Sequence, residues 1–236
     1  MDVFGKALID FQNGNYTEDI VTKSSLGDED VIPLPYLFRS FEDMPEIEQK
    51  ALKLARGQVL DIGCGAGSHS LYLQERGLNV VGLDVSEGAI AVSKQRGVKS
   101  LAHTSILDFS GKQFDTLLLL MNGIGLCGTL KQLSLFLTHL KSLLNPGGQI
   151  LLDSSDIIYM FDEDEDGGIW IPGDKAYYGE VSFTMEYKQD KGKVFDWLYL
   201  DFNLLKECCN SHNMNCELVI SGTHYDYLAK LSLKKE

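Results

Sequence analysis

One glycine-rich segment has the pattern best suited to hold a ligand. An apolar run reaches Asp61, and glycines follow at every second position, at Gly63, Gly65 and Gly67. Glycines let the backbone turn tightly and approach a ligand without a Cβ in the way, and a helix that starts behind them would present unpaired N–H groups. A carboxylate beside this loop opposes a pyrophosphate and favours a ligand with positive charge. A tight turn without a ligand is the alternative interpretation.

The spacing separates this segment from two common nucleotide-binding loops. G-x-G-x-G over 63–67 is not the G-x-G-x-x-G of dinucleotide sites, and no G-K-[ST] follows as in a P-loop. A second acid, Asp84, ends the next apolar run, 23 residues after Asp61 (84 − 61). An acid there can accept hydrogen bonds from both ribose hydroxyls of an adenosine, although Asp at a strand end also commonly caps a helix. With the glycine loop beside it, Asp84 predicts a nucleoside site.

These residues are positioned by alternating strands and helices. Strands are predicted at Gln58–Ile62, Asn79–Asp84, Lys99–His103, Phe114–Met121 and Gln149–Asp153. This rhythm is typical of a doubly wound, mostly parallel sheet with helices on both faces. Two further strands, Cys216–Ser221 and Tyr227–Leu233, are joined by a short loop, so they should be antiparallel. The prediction is an α/β fold with seven strands, the last of them antiparallel.

The segments on either side of this core should close over the ligand. The chain is interpreted as a single domain with four parts: an N-terminal helical lid (1–55), a cofactor-binding core (56–153), an inserted loop and β-hairpin (154–200), and a C-terminal helix with the antiparallel strand pair (201–236). Residues 181–187 and 194–200 alternate like the two strands of a hairpin. Five side chains are candidates to cover the pocket, with ordinary packing as their alternative: Tyr16, Tyr36, Phe38, Arg39 and Phe41.

Composition narrows the choice of partner and compartment. Of 236 residues, 21 are basic and 34 acidic, so the net charge is −13, which argues against nucleic acid and against an anionic membrane surface. No apolar run is long enough to cross a membrane, and the N-terminus lacks a signal-peptide pattern. Five cysteines without a C-x-x-C pair indicate the reducing cytoplasm. Cys209, His212 and Cys216 have metal-like spacing, but packed thiols are preferred and no metal is predicted.

The sequence resembles the class I S-adenosylmethionine (SAM)-dependent methyltransferases. The resemblance covers about residues 57–153 and rests on VLDIGCGAGS (59–68), VVGLDVS (80–86), FDTLLLL (114–120) and LLNPGGQILLD (143–153). It implies that Asp61 and the glycine loop hold the methionine end of SAM, that Asp84 holds the ribose, and that the end of 114–121 faces the sulfonium. The cofactor-binding residues so implied are Asp61, Gly63, Cys64, Gly65, Gly67, Asp84, Val85, Ser105, Ile106, Met121 and Asn122.

The resemblance implies methyl transfer by in-line displacement, and the added segments predict an enclosed pocket for a small-molecule acceptor. Nitrogen or oxygen is the preferred accepting atom, with sulfur or carbon as alternatives. Such a reaction needs alignment and exclusion of water, and a general base only if the acceptor arrives protonated. Ligands bind at the carboxyl ends of parallel strands, so the candidates for catalysis or acceptor contact are Asn122, Asp156 and Tyr159, with turn or capping roles as alternatives. The acidic run 162–166 is either a solvated loop or a gate for a cationic acceptor.

Two other functions stay open on the sequence alone. One is an NAD-dependent Rossmann oxidoreductase, which the loop spacing and Asp61 disfavour. The other is a protein that binds SAM without catalysing a reaction. The sequence predicts neither the acceptor nor the oligomeric state.

Overall fold

Strands and helices alternate along the chain in a computed structural model, which describes residues 2–161, 164, 168 and 176–234. In chain order the strands are β1 (Ile20–Ser24), β2 (Glu29–Ile32), β3 (Gln58–Ile62), β4 (Asn79–Asp84), β5 (Leu101–His103), β6 (Phe114–Leu119), β7 (Leu144–Ser155), β8 (Glu180–Tyr187), β9 (Asp190–Lys191), β10 (Phe195–Leu198), β11 (Met214–Ser221) and β12 (Asp226–Leu233). The α-helices are α1 (Val3–Gln12), α2 (Leu34–Leu37), α3 (Glu46–Leu54), α4 (Ser68–Glu75), α5 (Glu87–Arg96), α6 (Leu130–Ser142) and α7 (Phe202–Ser211).

The central sheet has seven strands in the order β11-β12-β7-β6-β3-β4-β5. Strands β3 to β7 run parallel to one another. Strand β12 lies between β7 and β11 and is antiparallel to both. The predicted doubly wound sheet with an antiparallel last strand is therefore confirmed. Parallel pairing puts the carboxyl ends of β3, β4 and β6 at one edge, which is where the motif residues come together.

Both faces of this sheet are covered, which explains the continuous apolar runs of its strands. In β6, Leu117 and Leu119 pack with α6 on one face, whereas Leu118 packs with α3 on the other. All three leucines are fully buried. A strand whose successive side chains point to opposite faces needs apolar residues at every position when both faces are covered.

A second, antiparallel sheet pairs strands from the segment before the cofactor-binding core with strands from the segment after it. Its strands run in the order β10-β8-β1-β2, and β9 pairs with β8. The inserted hairpin is present, with Phe195 opposite Phe183. The N-terminal part departs from the predicted helical lid, because β1 and β2 form a hairpin between α1 and α2. The partner of β1 is β8, with Val21 opposite Glu186, and local periodicity carries no signal of a partner so distant in sequence.

Helix α1 is fixed against α5 at the edge of the motif residues. Asp2 caps α1 by accepting from the Gly5 N–H (2.8 Å), and it also accepts from the Ser86 hydroxyl (2.8 Å) and the Gly88 N–H (3.0 Å). A Cβ on Gly88 would lie 2.5 Å from the backbone of Gly5, so only glycine permits this approach. The docking brings Phe4 close to the glycine loop.

Some predictions concern features outside these elements. None of the helices in the described ranges is both long and apolar enough to cross a membrane. Of the acidic run 162–166, only Asp164 belongs to the described residues, so its interpretation as a loop or gate lies outside them. The division into four parts within one domain stays a prediction.

Candidate active site

One cavity of about 940 Å³ opens at the carboxyl ends of β3, β4 and β6. Cavities that bind small molecules typically measure about 300–1,000 Å³. The glycine loop, the end of β4 and the turn after β6 form one end of this cavity, and the second sheet forms the other. The cavity is therefore large enough for two ligands side by side.

The glycine loop contributes backbone to the cavity wall. Gly63, Cys64 and Gly65 line the cavity, and the ring of Phe4 lies 3.8 Å from the point where a Cβ on Gly65 would sit. Gly67 lies outside the lining. Its φ is +84°, and a Cβ there would come within 2.8 Å of Ser93 Oγ and of the Val98 side chain. Gly67 therefore serves the packing of α4 on α5, which positions the loop.

Asp84 presents a nearly buried carboxylate to the cavity. Its two oxygens accept from the Gly65 N–H (2.9 Å) and the Ser86 N–H (2.9 Å). Burial raises the pKa of Asp84. Each carboxylate oxygen retains accepting capacity, so two ribose hydroxyls can bind here. Val85, Ser105 and Ile106 line the cavity beside Asp84, and the structure thus brings the residues expected around the nucleoside together.

Asp61 lies beneath the loop rather than on the cavity wall. It is 2% exposed and accepts from the Ser70 hydroxyl (2.6 Å), which connects β3 to α4. Burial raises the pKa of Asp61. A direct cofactor contact by Asp61 stays a prediction, whereas its observed contact supports the loop from below.

The turn after β6 is held in an uncommon conformation by Asp153. Met121 and Asn122 have φ of +66° and +57°, which costs about 1–2 kcal/mol per residue for L-amino acids. The Asp153 carboxylate accepts from the Met121 N–H (3.1 Å) and the Gly123 N–H (2.9 Å), which offsets this cost. Burial raises the pKa of Asp153 to about 6. Met121 and Gly123 consequently line the cavity.

The three residues expected at the acceptor lie elsewhere. Asn122 Nδ2 donates to the Leu198 carbonyl (3.4 Å), and its Oδ1 accepts from the Ser155 N–H (3.1 Å). Asp156 accepts from the Tyr178 hydroxyl (2.8 Å) at a separate cleft, and Tyr159 stacks on Tyr225 with ring centroids 4.9 Å apart.

The length of β7 explains the position of Asp156 and Tyr159. The sequence places the strand end at Asp153, but pairing with β12 carries β7 on to Ser155. Asp156 is therefore carried past the rim of the cavity. None of Asn122, Asp156 and Tyr159 is among the described residues that line the cavity, so the structure does not bring them to its wall, and their role in contacting the acceptor stays a prediction.

A buried charged cluster at the cavity wall was largely missed from the sequence. Glu48, on α3, contacts Arg39 Nη2 and His69 Nε2, the latter at 2.7 Å. The Arg39 guanidinium lies 3.9 Å from the centroid of the Tyr36 ring. Burial alone raises the pKa of Glu48, but His69 and Arg39 together lower it below its usual value. The available signal was an acid on the apolar face of α3, beside Ile47, because such an acid needs partners when buried.

One hydrogen-bond donor of Arg39 lacks a partner among the described residues. Its Nε–H is buried and has no hydrogen-bond partner within the described residues, and the side chain lines the cavity. An unpaired buried donor is costly, and a carboxylate bound in the cavity would satisfy it. Tyr36 also lines the cavity. The other lid candidates pack instead: Tyr16 and Phe38 against Phe11, and Phe41 on Tyr72.

The end of the cavity formed by the second sheet has apolar walls. Its residues come from two segments that lie far apart in the sequence, one with β2 and one with β8 and β10. Val31 comes from β2, Met185 from β8, and Phe195 and Trp197 from β10. The Trp197 indole lies so close to Gly125 that a Cβ there would be 2.0 Å from Nε1. Within the described part of the chain, no three His, Cys, Asp or Glu side chains form a metal site.

Comparison with known proteins agrees with this geometry. Residues 59–148 match the family model described as a methyltransferase domain. A SAM-dependent methyltransferase from Bacteroides fragilis, solved in complex with S-adenosyl-L-homocysteine (SAH), is 42% identical to this chain with a TM-score of 0.91, over 99% of this chain and 95% of that one. The chain belongs to the class I SAM-dependent methyltransferases. The methyltransferase is therefore an enzyme that uses SAM, and the nicotinamide alternative is set aside.

Two curated relatives are similar to shorter parts of the methyltransferase. The ubiquinone biosynthesis O-methyltransferase of Dinoroseobacter shibae is 34% identical over 101 residues, 40% of this chain and 39% of that protein. The 2-heptyl-1-hydroxyquinolin-4(1H)-one methyltransferase of Mycobacteroides abscessus is 41% identical over 61 residues, 23% and 27% of the two chains. The match thus spans about two-fifths or less of either relative.

Proposed function

We propose that this methyltransferase transfers the methyl group of SAM to a hydroxyl oxygen of a small, largely apolar acceptor. The observation that carries the proposal is the continuity of the cavity from Asp84 to Trp197. A cofactor whose ribose binds Asp84 and whose sulfonium lies near Met121 leaves the far end of the cavity for the acceptor. The acceptor then lies beside the methyl group, as in-line displacement requires.

The walls favour a flat, neutral molecule. Phe195 and Trp197 offer aromatic surface, and Val31 and Met185 offer aliphatic surface. Aromatic rings prefer offset or edge-to-face partners and gain about 0.5–1.5 kcal/mol per pair beyond burial. The second sheet contributes apolar side chains to this end of the cavity, and the net charge of −13 disfavours nucleic acid.

Oxygen is preferred over nitrogen because of the relatives. One curated relative is named as an O-methyltransferase, and the other is named for a hydroxylated quinolinone. The first name specifies transfer to oxygen, and the second specifies a hydroxylated ring as the methyl acceptor. Transfer to a ring hydroxyl fits the apolar walls described above.

The residues of the chain supply position rather than covalent chemistry. SAM, when bound, supplies a methyl group on positively charged sulfur. Asp84 orients the ribose, Arg39 donates its unpaired Nε–H to the amino-acid carboxylate, and the turn held by Asp153 fixes the wall beside the sulfur. Such positioning can contribute about 7–11 kcal/mol to lowering the barrier.

The test is transfer of label from methyl-tritiated SAM to defined acceptor classes. The panel contains phenol, catechol, 4-nitrophenol and 4-hydroxyquinoline, with aniline, an amino sugar, a peptide pool and transfer RNA as separate classes. We expect labelled, organic-extractable product with the ring hydroxyls. Labelling confined to amines, peptide or RNA, with normal binding of SAH, would contradict the acceptor class while leaving the cofactor assignment intact.

A further inference from the structure

His69 lies at the cavity beside the Arg39–Glu48 pair, and the proposed contacts to SAM do not use its imidazole. It lies in the first turn of α4, directly behind the glycine loop, and its ring lines the cavity although it is only 8% exposed. Its Nε2 is 2.7 Å from Glu48 Oε2. No hydrogen bond joins its Nδ1 to another described residue, and Nδ1 is not among the fully buried polar atoms that lack a partner. One nitrogen is therefore fixed by a carboxylate and the other is accessible.

Glu48 determines which nitrogen carries the proton. Arg39 and His69 both contact the same oxygen of Glu48, and the side chain is almost fully buried. Together these partners lower the pKa of Glu48 in spite of its burial. An ionised carboxylate only accepts hydrogen bonds, so Nε2 must donate to it. In a neutral imidazole the lone pair then resides on Nδ1.

From this arrangement we propose that His69 is the general base of the reaction, taking the proton of the acceptor hydroxyl on Nδ1, and that Glu48 is its positioning residue. The inference deepens the proposed function and rests on it. The acceptor oxygen forms a bond to the methyl carbon, and the carbon–sulfur bond breaks with its electron pair going to sulfur. The hydroxyl proton moves to Nδ1, so the products are the methyl ether, SAH and a protonated His69.

Ionisable groups from four parts of the chain surround His69. The groups that face or contact it are Glu48 from α3, Asp61 from β3, Asp153 from β7 and Arg39 from the segment after α2. Three carboxyl groups and one guanidinium therefore surround the imidazole of His69. At neutral pH, above the pKa of about 6 of Asp153, its negative charge adds to that of Glu48. The developing imidazolium is thus formed beside net negative charge, after which it releases its proton when the product leaves.

Two substitutions test the assignment with the full chain. His69→Gln keeps an amide N–H that can reach Glu48 but removes the basic nitrogen, and Glu48→Gln keeps the volume but removes the charge that fixes the tautomer. His224→Gln is the matched control, because His224 is exposed on the loop before β12. The probes are phenol and 4-nitrophenol, whose hydroxyl is far more acidic and is largely ionised at pH 8.

With phenol, His69→Gln should lower kcat by about 10²–10⁴-fold, the usual contribution of a general base. With 4-nitrophenol, which needs no base, the loss should stay below about 10-fold. Glu48→Gln should lower kcat for phenol by about 10-fold or more and shift the acidic limb of the pH profile, because the tautomer is no longer fixed. The dissociation constant of SAH, measured by calorimetry, should change by less than about 3-fold in His69→Gln. Equal losses on both probes, or a loss below about 5-fold on phenol, would overturn the proposal.

A second measurement does not depend on the acceptor. In protein labelled with ¹⁵N-histidine and saturated with SAH, long-range ¹H–¹⁵N spectra report the tautomer, and His69→Gln identifies the signal. We expect the Nε2–H tautomer at pH 7.5; the Nδ1–H tautomer would refute the assignment even if phenols are methylated. If neither phenol is a substrate, the acceptor class and the base assignment fail together, and the Nε2–H tautomer then supports only the positioning of His69 by Glu48.

Discussion

The two ends of the cavity are built in opposite ways. The cofactor end comes mainly from four consecutive strand–loop units within residues 59–123, joined by Arg39 from the N-terminal segment, and each motif residue lies near its neighbours in sequence. The acceptor end comes from β2, β8 and β10, which join residues near 31 to residues near 185 and 197. The cofactor end can therefore be recognised from short motifs, whereas the acceptor end exists only once distant strands have paired.

This contrast has a functional meaning. The family model matches residues 59–148, and the segments that form the acceptor wall lie outside that range. Binding of SAM should depend on the local units, and choice of acceptor on the second sheet. Substitutions placed at one end should leave the other end unchanged. Of the four substitutions below, three test how the cofactor end is built, and Trp197→Ala tests the independence of the two ends.

The largest effect is expected from Asp84→Asn. The substitution removes the charge that two ribose hydroxyls would meet, and hydrogen bonds to a charged group contribute about 1.5–3 kcal/mol each. We expect SAH affinity to fall by about 100-fold or more in calorimetry. Because Asn has one accepting oxygen for the Gly65 and Ser86 N–H groups, one of these two hydrogen bonds is lost, and the free energy of unfolding should fall by about 1–3 kcal/mol as well. Affinity within about 3-fold of the parent would remove Asp84 from the cofactor site.

The next effect concerns the pH dependence of stability at Asp153. Its pKa rises from the usual 3.8 to about 6 in the folded protein, so its contribution is fully present below pH ~4 and is lost as the pH rises through about 6. The shift of roughly two units corresponds to about 3 kcal/mol. Urea unfolding of the parent and of Asp153→Asn should give a difference, parent minus variant, that decreases by up to that amount between pH 4 and pH 7. A difference that stays constant over this range would contradict the raised pKa.

A smaller loss of stability is expected from Gly67→Ala. The residue has φ of +84° and its Cβ would meet Ser93 and Val98, so strain of about 1–2 kcal/mol is joined by a steric clash. Gly77→Ala is the matched control, since φ is +83° and nothing lies within 4 Å of its Cβ. The free energy of unfolding should fall by about 1 kcal/mol more for Gly67→Ala than for Gly77→Ala. Equal losses would mean that α5 moves away without cost.

The smallest effect should come from Trp197→Ala. The indole forms part of the acceptor wall against Gly125, and loss of its contact should raise the acceptor KM by about 10-fold. The dissociation constant of SAH should change by less than about 2-fold, since Trp197 comes from β10 and not from the strand–loop units around Asp84 and the glycine loop. A parallel loss of SAH affinity would show that the two ends are coupled and would break the comparison.

The contrast between the ends also explains what the sequence could predict. The seven-stranded sheet, the glycine loop and the group around Asp84 follow from local periodicity and spacing, and they are found together. The β1–β2 hairpin could not be predicted, because its partner strand β8 lies about 160 residues away. Asn122, Asp156 and Tyr159 were chosen as polar residues at strand ends, but side-chain direction and the extra length of β7 turn them away from the cavity.

The cluster of Arg39, Glu48 and His69 was not predicted for a different reason. His69 and Glu48 lie on separate helices and meet only in three dimensions. Neither has a spacing that marks it in the sequence, and Arg39 could be named only as one of several possible cover residues. A buried acid on an apolar helix face is a usable signal, but it indicates that a partner exists without saying which residue it is.

The main-chain pairing of β1 with β8 has a consequence for how new acceptors can arise. The frame of the second sheet is held by backbone hydrogen bonds, with Thr22 opposite Met185 and Lys23 opposite Thr184, and these bonds do not depend on the identity of the inward-facing side chains. Val31, Met185, Phe195 and Trp197 can therefore be exchanged singly while the frame persists. Such an enzyme can drift from one acceptor to another through point mutations, with no insertion or deletion and no interruption of SAM turnover.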